Sequence, residues 1–89
     1  MFIVTATDYG ETCDGHTRLL GRYPDKDKAA KFVGEDMASY HDNLVGNGIG
    51  VEKFDLAKRE VWAVVGQSGC VWDIFDLDSL PPLDNVSAI

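Results

Sequence analysis

The sequence predicts an α+β domain of two layers, with one helix packed across a mainly antiparallel sheet of about five strands in the order β-β-α-β-β-β. One long segment has apolar residues at helical spacing. Five short segments are rich in β-branched and aromatic residues, and turn-forming residues separate them. The 89 residues suffice for one modest core. We expect a single domain over residues 1–78 and a partly ordered tail over residues 79–89.

The beginning of the chain predicts a β-hairpin. Residues 2–7 alternate as in a strand, so that Phe2, Val4 and Ala6 share one face. Residues 8–15 contain two glycines and several acidic residues, which is typical of a loop. A second strand is predicted over residues 17–23, running antiparallel to the first.

A helix is predicted to begin after Asp25, because a carboxylate at this position can accept hydrogen bonds from the free amides of the first turn. Gly34 interrupts the helical pattern, and we expect it to let a neighbouring strand approach closely. The segment Gly46-Asn-Gly-Ile-Gly50 is predicted to end the helix, because glycine and asparagine tolerate the left-handed conformation. The apolar face of the helix consists of Ala29, Val33, Met37, Tyr40 and Leu44.

Three further strands are predicted over residues 51–56, 61–65 and 70–77, and they form a meander because short polar turns connect them. In the last of these strands, both faces mix acidic and apolar side chains. Such mixing predicts an edge strand, where acidic groups also block unwanted pairing with other sheets.

A single helix covers only part of a five-stranded sheet. The rest of the sheet surface is therefore predicted to be polar, or to be closed by the tail, by a second copy in a homodimer or by a partner protein.

The composition excludes several classes of function. The chain carries 15 acidic and 8 basic residues, a net charge of −7, which disfavours direct binding to nucleic acid or to anionic membranes. It has no apolar run of the roughly 18 residues that a membrane span needs. Without a recognisable signal peptide or a Cys-x-x-Cys pair, the sequence predicts a cytoplasmic protein with free thiols at Cys13 and Cys70, a single disulfide being the alternative.

Each cysteine can be combined with a histidine as a candidate for nucleophilic catalysis, Cys13 with His16 and Cys70 with His41. Cys13 and His16 are spaced like two zinc ligands, but a structural zinc site needs four. Neither this pair nor Cys70 with His41 has the local sequence of a nucleophilic site, and Cys70 fits a core position. We expect no metal, no cofactor and no catalytic residue. The alternative is a ligand-binding or enzymatic module built on Cys13, Asp14 and His16.

Acidic residues are concentrated late in the chain, and residues 70–89 contain no Lys or Arg. One interpretation gives these acidic residues no binding role: they keep the protein soluble and protect a sheet edge from unwanted pairing. The functional interpretation is an acidic surface that binds a basic protein, with each carboxylate standing where a phosphate would. Aromatic residues would anchor it. The predicted binding residues are Asp73, Asp76, Asp78, Trp72, Glu35, Asp36, Asp42 and Tyr40.

The opening strand, the polar loop and the helix that begins Pro24-Asp-Lys-Asp-Lys-Ala-Ala-Lys-Phe-Val33 resemble those of many short proteins of bacteriophages and mobile elements. The resemblance covers about the first third of the chain and transfers no residue role. It implies a small accessory protein that inhibits a host factor, as anti-restriction and anti-CRISPR proteins do. We therefore expect a non-enzymatic protein that binds a basic partner of a nucleic-acid-handling or defence system. A structural homodimeric subunit is a further alternative.

Overall fold

The computed structural model describes residues 1–10, 13–64 and 68–79. The elements in chain order are β1 (Phe2–Gly10), β2 (Cys13–Tyr23), α1 (Lys26–Gly46), β3 (Val51–Asp55), β4 (Glu60–Ala63), β5 (Gly69–Asp76) and a 3-10 turn (Leu77–Ser79). The strands form one antiparallel sheet in the spatial order β2-β1-β5-β4-β3, and α1 packs on it. This confirms the predicted two-layer α+β fold. Of the predicted tail, residues 80–89 lie outside the described residues.

The hairpin of β1 and β2 is confirmed, but its strands are longer than predicted. Asp8 pairs with His16 and Gly10 with Cys13, so most of the expected loop at residues 8–15 belongs to the strands. Cross-strand side-chain bonds support this extension, because the Arg18 Nε atom donates to the Asp8 carboxylate at 2.9 Å. Gly15 has a φ of 119°, a conformation that glycine adopts without strain.

Helix α1 begins and ends where the sequence predicts. Asp25 is the N-cap, and its side chain accepts a hydrogen bond from the Lys28 amide at 2.8 Å. After Gly46 the chain turns away through Gly48, which has a φ of 74°. The expectation that a strand approaches Gly34 is wrong, since no heavy atom lies within 4 Å of a Cβ placed there. Among the described residues, no helix is long and apolar enough to cross a membrane.

The last three strands form the predicted meander, but β5 lies at the centre of the sheet between β1 and β4. The prediction of an edge strand is therefore wrong. The mixed pattern of β5 has another cause, because Cys70 and Trp72 lie buried beneath α1 while Asp73 and Phe75 lie on the opposite face. The pairing of β1 with β5 brings Val4 beside Ile74.

The core lies between α1 and one face of the sheet. It consists of Val4, Ala6, Ala29, Val33, Met37, Val61, Cys70 and Trp72. No helix or second sheet of the described residues packs on the other face, which we call the open sheet face. Its members on the strands are Ile3, Thr5, Thr7, Tyr9, Thr17, Leu19, Arg22, Lys53, Asp55, Glu60, Trp62, Val71, Asp73 and Phe75.

Candidate functional site

The predicted acidic binding residues do not share one surface. Asp73 lies on the open sheet face, whereas Glu35 and Asp42 are exposed on α1, across the sheet from it. Asp76 and Asp78 lie together where β5 ends, and the Asp78 amide donates to the Asp76 carboxylate at 3.0 Å. The N-terminal ammonium lies 3.4 Å from the carboxylate of Asp78. The predicted acidic residues thus lie in three separate places instead of on one surface.

Trp72, Asp36 and Tyr40 form a contact between the helix and the sheet. Trp72 is only 1% exposed, so it belongs to the core and is not the surface anchor that was predicted. Its indole Nε1 donates to the Asp36 carboxylate at 2.8 Å. The Tyr40 ring meets the indole edge-on, with 5.6 Å between the ring centroids. These contacts hold α1 on β5, which explains why an acidic and an aromatic residue of the helix turn inward.

An ion pair lies beside the buried thiol of Cys70. The hydrogen bond from Arg18 lowers the pKa of Asp8, and the Cys70 thiol lowers it further, while burial acts in the opposite direction. Burial, followed by the negative charge of Asp8, raises the pKa of Cys70 to about 12. Cys70 is free and buried, which confirms its predicted core position. A thiol with such a high pKa is protonated at neutral pH and is not activated for nucleophilic attack.

The loop proposed as an alternative ligand site is described only in part. The backbone of Cys13 pairs with Gly10, and the exposed His16 pairs with Asp8, while the side chains of Cys13 and Asp14 lie outside the description. Within the described ranges, no group of three His, Cys, Asp or Glu side chains could hold a metal ion. An enzymatic or ligand-binding role for this loop stays a prediction.

The open sheet face carries apolar side chains on neighbouring strands. Ile3 lies beside Phe75, and Leu19 lies across from Thr5 in β1. Leu19 and Phe75 remain 64% and 43% exposed, respectively. The face thus presents large apolar side chains to solvent instead of burying them in a core.

An aromatic pair occupies one end of this face. Trp62 lies flat over Gly69, where a Cβ atom would clash with the indole ring and lie 2.6 Å from the carbonyl oxygen of Val61. The Tyr9 ring lies against Trp62, with 5.5 Å between the centroids. Glu60 fixes the indole by accepting a hydrogen bond from its Nε1 atom at 2.9 Å. These contacts position the pair on the open sheet face.

Trp62 was not among the predicted binding residues. Once Val61 and Ala63 are known to be buried, strand alternation turns Trp62 to the opposite face. Gly69 on the neighbouring strand supplies the space in which the large ring lies.

The open sheet face is nearly neutral although the chain is strongly acidic. Its charged members are the basic Arg22 and Lys53 and the acidic Asp55, Glu60 and Asp73, which leaves a net charge of −1 against −7 for the whole chain. Lys53 and Glu60 lie 3.8 Å apart and offset each other locally. Most of the excess acid therefore lies away from this face.

A groove of about 290 Å³ lies between the second half of α1 and β3, and we call it the α1–β3 groove. It is lined by Ala38, His41, Asp42 and Phe54. The two rings meet nearly at right angles, with 5.5 Å between their centroids. The Asp42 side chain is 82% exposed, and its carboxylate lies 3.4 Å from the His41 Nδ1 atom. The groove thus combines an apolar wall with an accessible negative charge.

Comparison with known proteins assigns this chain to no family. No family model, curated protein or solved structure matches it. Function is therefore inferred from the open sheet face and the α1–β3 groove.

Proposed function

We propose that this chain is a non-enzymatic protein that binds another protein through its open sheet face. The observation that carries this proposal is the set of apolar and aromatic side chains that no element of the described chain covers. Contiguous exposed apolar patches with polar rims are typical of interaction sites. Trp62 and Tyr9 supply aromatic groups, which often provide a large part of the binding energy at protein interfaces.

The net charge favours a partner with a basic surface. Exposed carboxylates such as Glu35 and Asp42 would attract a basic protein during approach, while the nearly neutral open sheet face would pack against it. A second copy carries the same charge of −7 and is repelled at long range, so a different protein is the favoured occupant.

The class of partner that we propose is a nucleic-acid-handling protein of a host cell, which this chain inhibits in the cytoplasm. Such proteins carry basic surfaces that bind phosphates, and a strongly acidic chain complements them. The resemblance to short bacteriophage proteins supports an inhibitory role of the anti-restriction or anti-CRISPR kind. The free thiol of Cys70 is compatible with a reducing compartment.

The proposal is tested by immobilising the protein and two single variants, and then exposing each to lysate of the source cell. Phe75→Lys introduces a charge into the open sheet face. Leu56→Lys introduces the same charge at a side chain that is 60% exposed outside this face. We expect a basic protein to bind the wild type and Leu56→Lys, and Phe75→Lys to retain it at least about tenfold more weakly.

Two further measurements complete this test. High salt should weaken retention of the partner, and the purified partner should lose nucleic-acid binding when the wild-type chain is added. Circular dichroism should show that both variants are folded. Equal retention of the partner by Phe75→Lys and the wild type would refute the assignment to the open sheet face. A partner that is acidic, or whose nucleic-acid binding is unaffected, would refute the inhibitory function.

A further inference from the structure

We infer that the α1–β3 groove binds an arginine side chain that the partner protein presents. The inference rests on the proposed function, because it specifies one chemical feature of the basic partner. It concerns a second surface, on the helix side of the sheet, and can be tested without the partner.

The size of the groove limits what it can hold. Its volume of about 290 Å³ is just below the range of roughly 300–1,000 Å³ that is typical of pockets for drug-sized ligands. A groove of this size has room for one extended side chain. Ala38 contributes a small apolar surface along which the methylene groups of that side chain can lie.

The aromatic wall favours a flat cation. Phe54 lines the groove and remains 40% exposed, so part of its ring is accessible. The His41 ring packs edge-on against it and fixes its orientation. A planar guanidinium stacks on an aromatic ring and pairs with a carboxylate at the same time, whereas an ammonium group lacks the flat surface for stacking.

Asp42 gives the groove a negative charge, and among the described ion pairs its carboxylate faces only the His41 ring, at 3.4 Å. The last turn of α1 contains no basic residue, and its three lysines, at positions 26, 28 and 31, lie near its start. On β3, Lys53 lies near Glu60 on the opposite side of the sheet and does not neutralise the groove.

Strand β3 itself disfavours another mode of binding. It is an edge strand, but its pairing with β4 is irregular between Val51 and Lys53, and three of its five residues are charged. Such features oppose the addition of a peptide strand to a sheet edge. Docking at this side is therefore through a side chain in the groove and not through extension of the sheet.

The test is a nuclear magnetic resonance titration of the isotope-labelled full chain with N-acetyl-arginine N-methylamide. The matched probe is the citrulline analogue, which has a similar shape but no charge, and the lysine analogue is a third probe. We expect saturable shifts of the Ala38, His41, Asp42 and Phe54 resonances with the arginine probe. The dissociation constant should be weak, on the order of 10 mM, because the pair is exposed to solvent.

Variants make the site assignment specific. Asp42→Asn should weaken binding of the arginine probe at least about threefold, and Phe54→Leu should weaken it as well. Asp27→Asn, which changes an exposed acid in the first turn of the same helix, should have no effect. Equal shifts with the citrulline or lysine probe, shifts spread over all acidic residues, or full binding by Asp42→Asn would overturn the inference.

The two proposals fail separately. If the arginine probe does not bind but Phe75→Lys still abolishes capture of a basic partner, only the groove assignment is wrong. If the probe binds as expected and no partner depends on Phe75, the groove is a cation site and the proposed open-face function is wrong.

Discussion

The two tryptophans lie on opposite faces of the sheet and have different structural roles. Trp72 is buried beneath α1, where its indole N–H finds its acceptor in Asp36. Trp62 lies on the open sheet face over Gly69. A buried indole N–H without a partner is costly, because it has lost its hydrogen bond to water. The Asp36 carboxylate is therefore important for stability, whatever its role in binding.

This assignment predicts the effect of removing the Asp36 carboxylate. Asp36→Ala should lower the free energy of unfolding by about 1–3 kcal/mol, because the Trp72 N–H then stays buried and unpaired. Asp36→Asn retains an oxygen acceptor and should lose less. Urea unfolding followed by tryptophan fluorescence measures both changes.

The neighbouring acid provides the control. Glu35→Ala, at an exposed position of the same helix, should change the stability by no more than about 0.5 kcal/mol. A loss of stability in Glu35→Ala equal to that in Asp36→Ala would mean that the bond to Trp72 has no special importance.

Single-residue roles were predictable from the sequence only where local alternation decides them. Cys70, Trp72 and Ile74 share one face of β5, and that apolar run predicts burial. Asp76 and Asp78 continue this alternation beyond the part of β5 that α1 covers. In the sequence, the same face of the segment therefore contains both apolar and acidic residues. The inward turn of Asp36 was not predictable, because it depends on a contact between residues that are 36 positions apart.

At the level of elements, Gly34 in α1 and Gly69 in β5 have opposite surroundings: the first has open space beside it and the second is closely packed. Gly34 lies inside α1 with open space around its missing side chain, beside a cavity of about 130 Å³. Alanine is the better helix former because it restricts the unfolded chain more than glycine does. We expect Gly34→Ala to raise the free energy of unfolding by about 0.5–1 kcal/mol in urea denaturation.

Gly69→Ala, the matched change in β5, should act in the opposite direction. Its methyl group would meet the Trp62 ring and the Val61 carbonyl, and relief of that clash requires the indole to move. We expect a loss of about 1–3 kcal/mol and a changed fluorescence of Trp62. Destabilisation by Gly34→Ala, or a neutral Gly69→Ala, would contradict the packing described for these two elements.

Elements formed by local interactions were predictable, and their order in the sheet was not. The N-cap at Asp25 and the connections of the two antiparallel units follow from residues close in sequence. The pairing of β1 with β5 joins Phe2 to Asp76, and no turn residue signals such a distant pairing. The location of β5 at the sheet centre follows from this pairing together with the pairing of β4 and β5.

For the molecule as a whole, charge and apolar surface are separated. The open sheet face carries a net charge of −1, while the chain carries −7. Long-range repulsion therefore opposes the association of two copies through the open sheet face, although this face exposes apolar side chains. This arrangement favours a partner of opposite charge over self-association.

Self-association should therefore increase with ionic strength. The distance over which charges act falls from about 30 Å at 0.01 M salt to about 3 Å at 1 M, whereas contacts between apolar surfaces are not weakened by screening. We expect sedimentation equilibrium to give the mass of a monomer at low salt and a growing dimer fraction at high salt. Phe75→Lys should remain monomeric throughout, while Leu56→Lys should follow the wild type.

A dimer that is strongest at low salt would point to pairing of opposite charges on another surface. A monomer at every salt concentration would contradict the expectation that charge repulsion alone prevents self-association through the open sheet face.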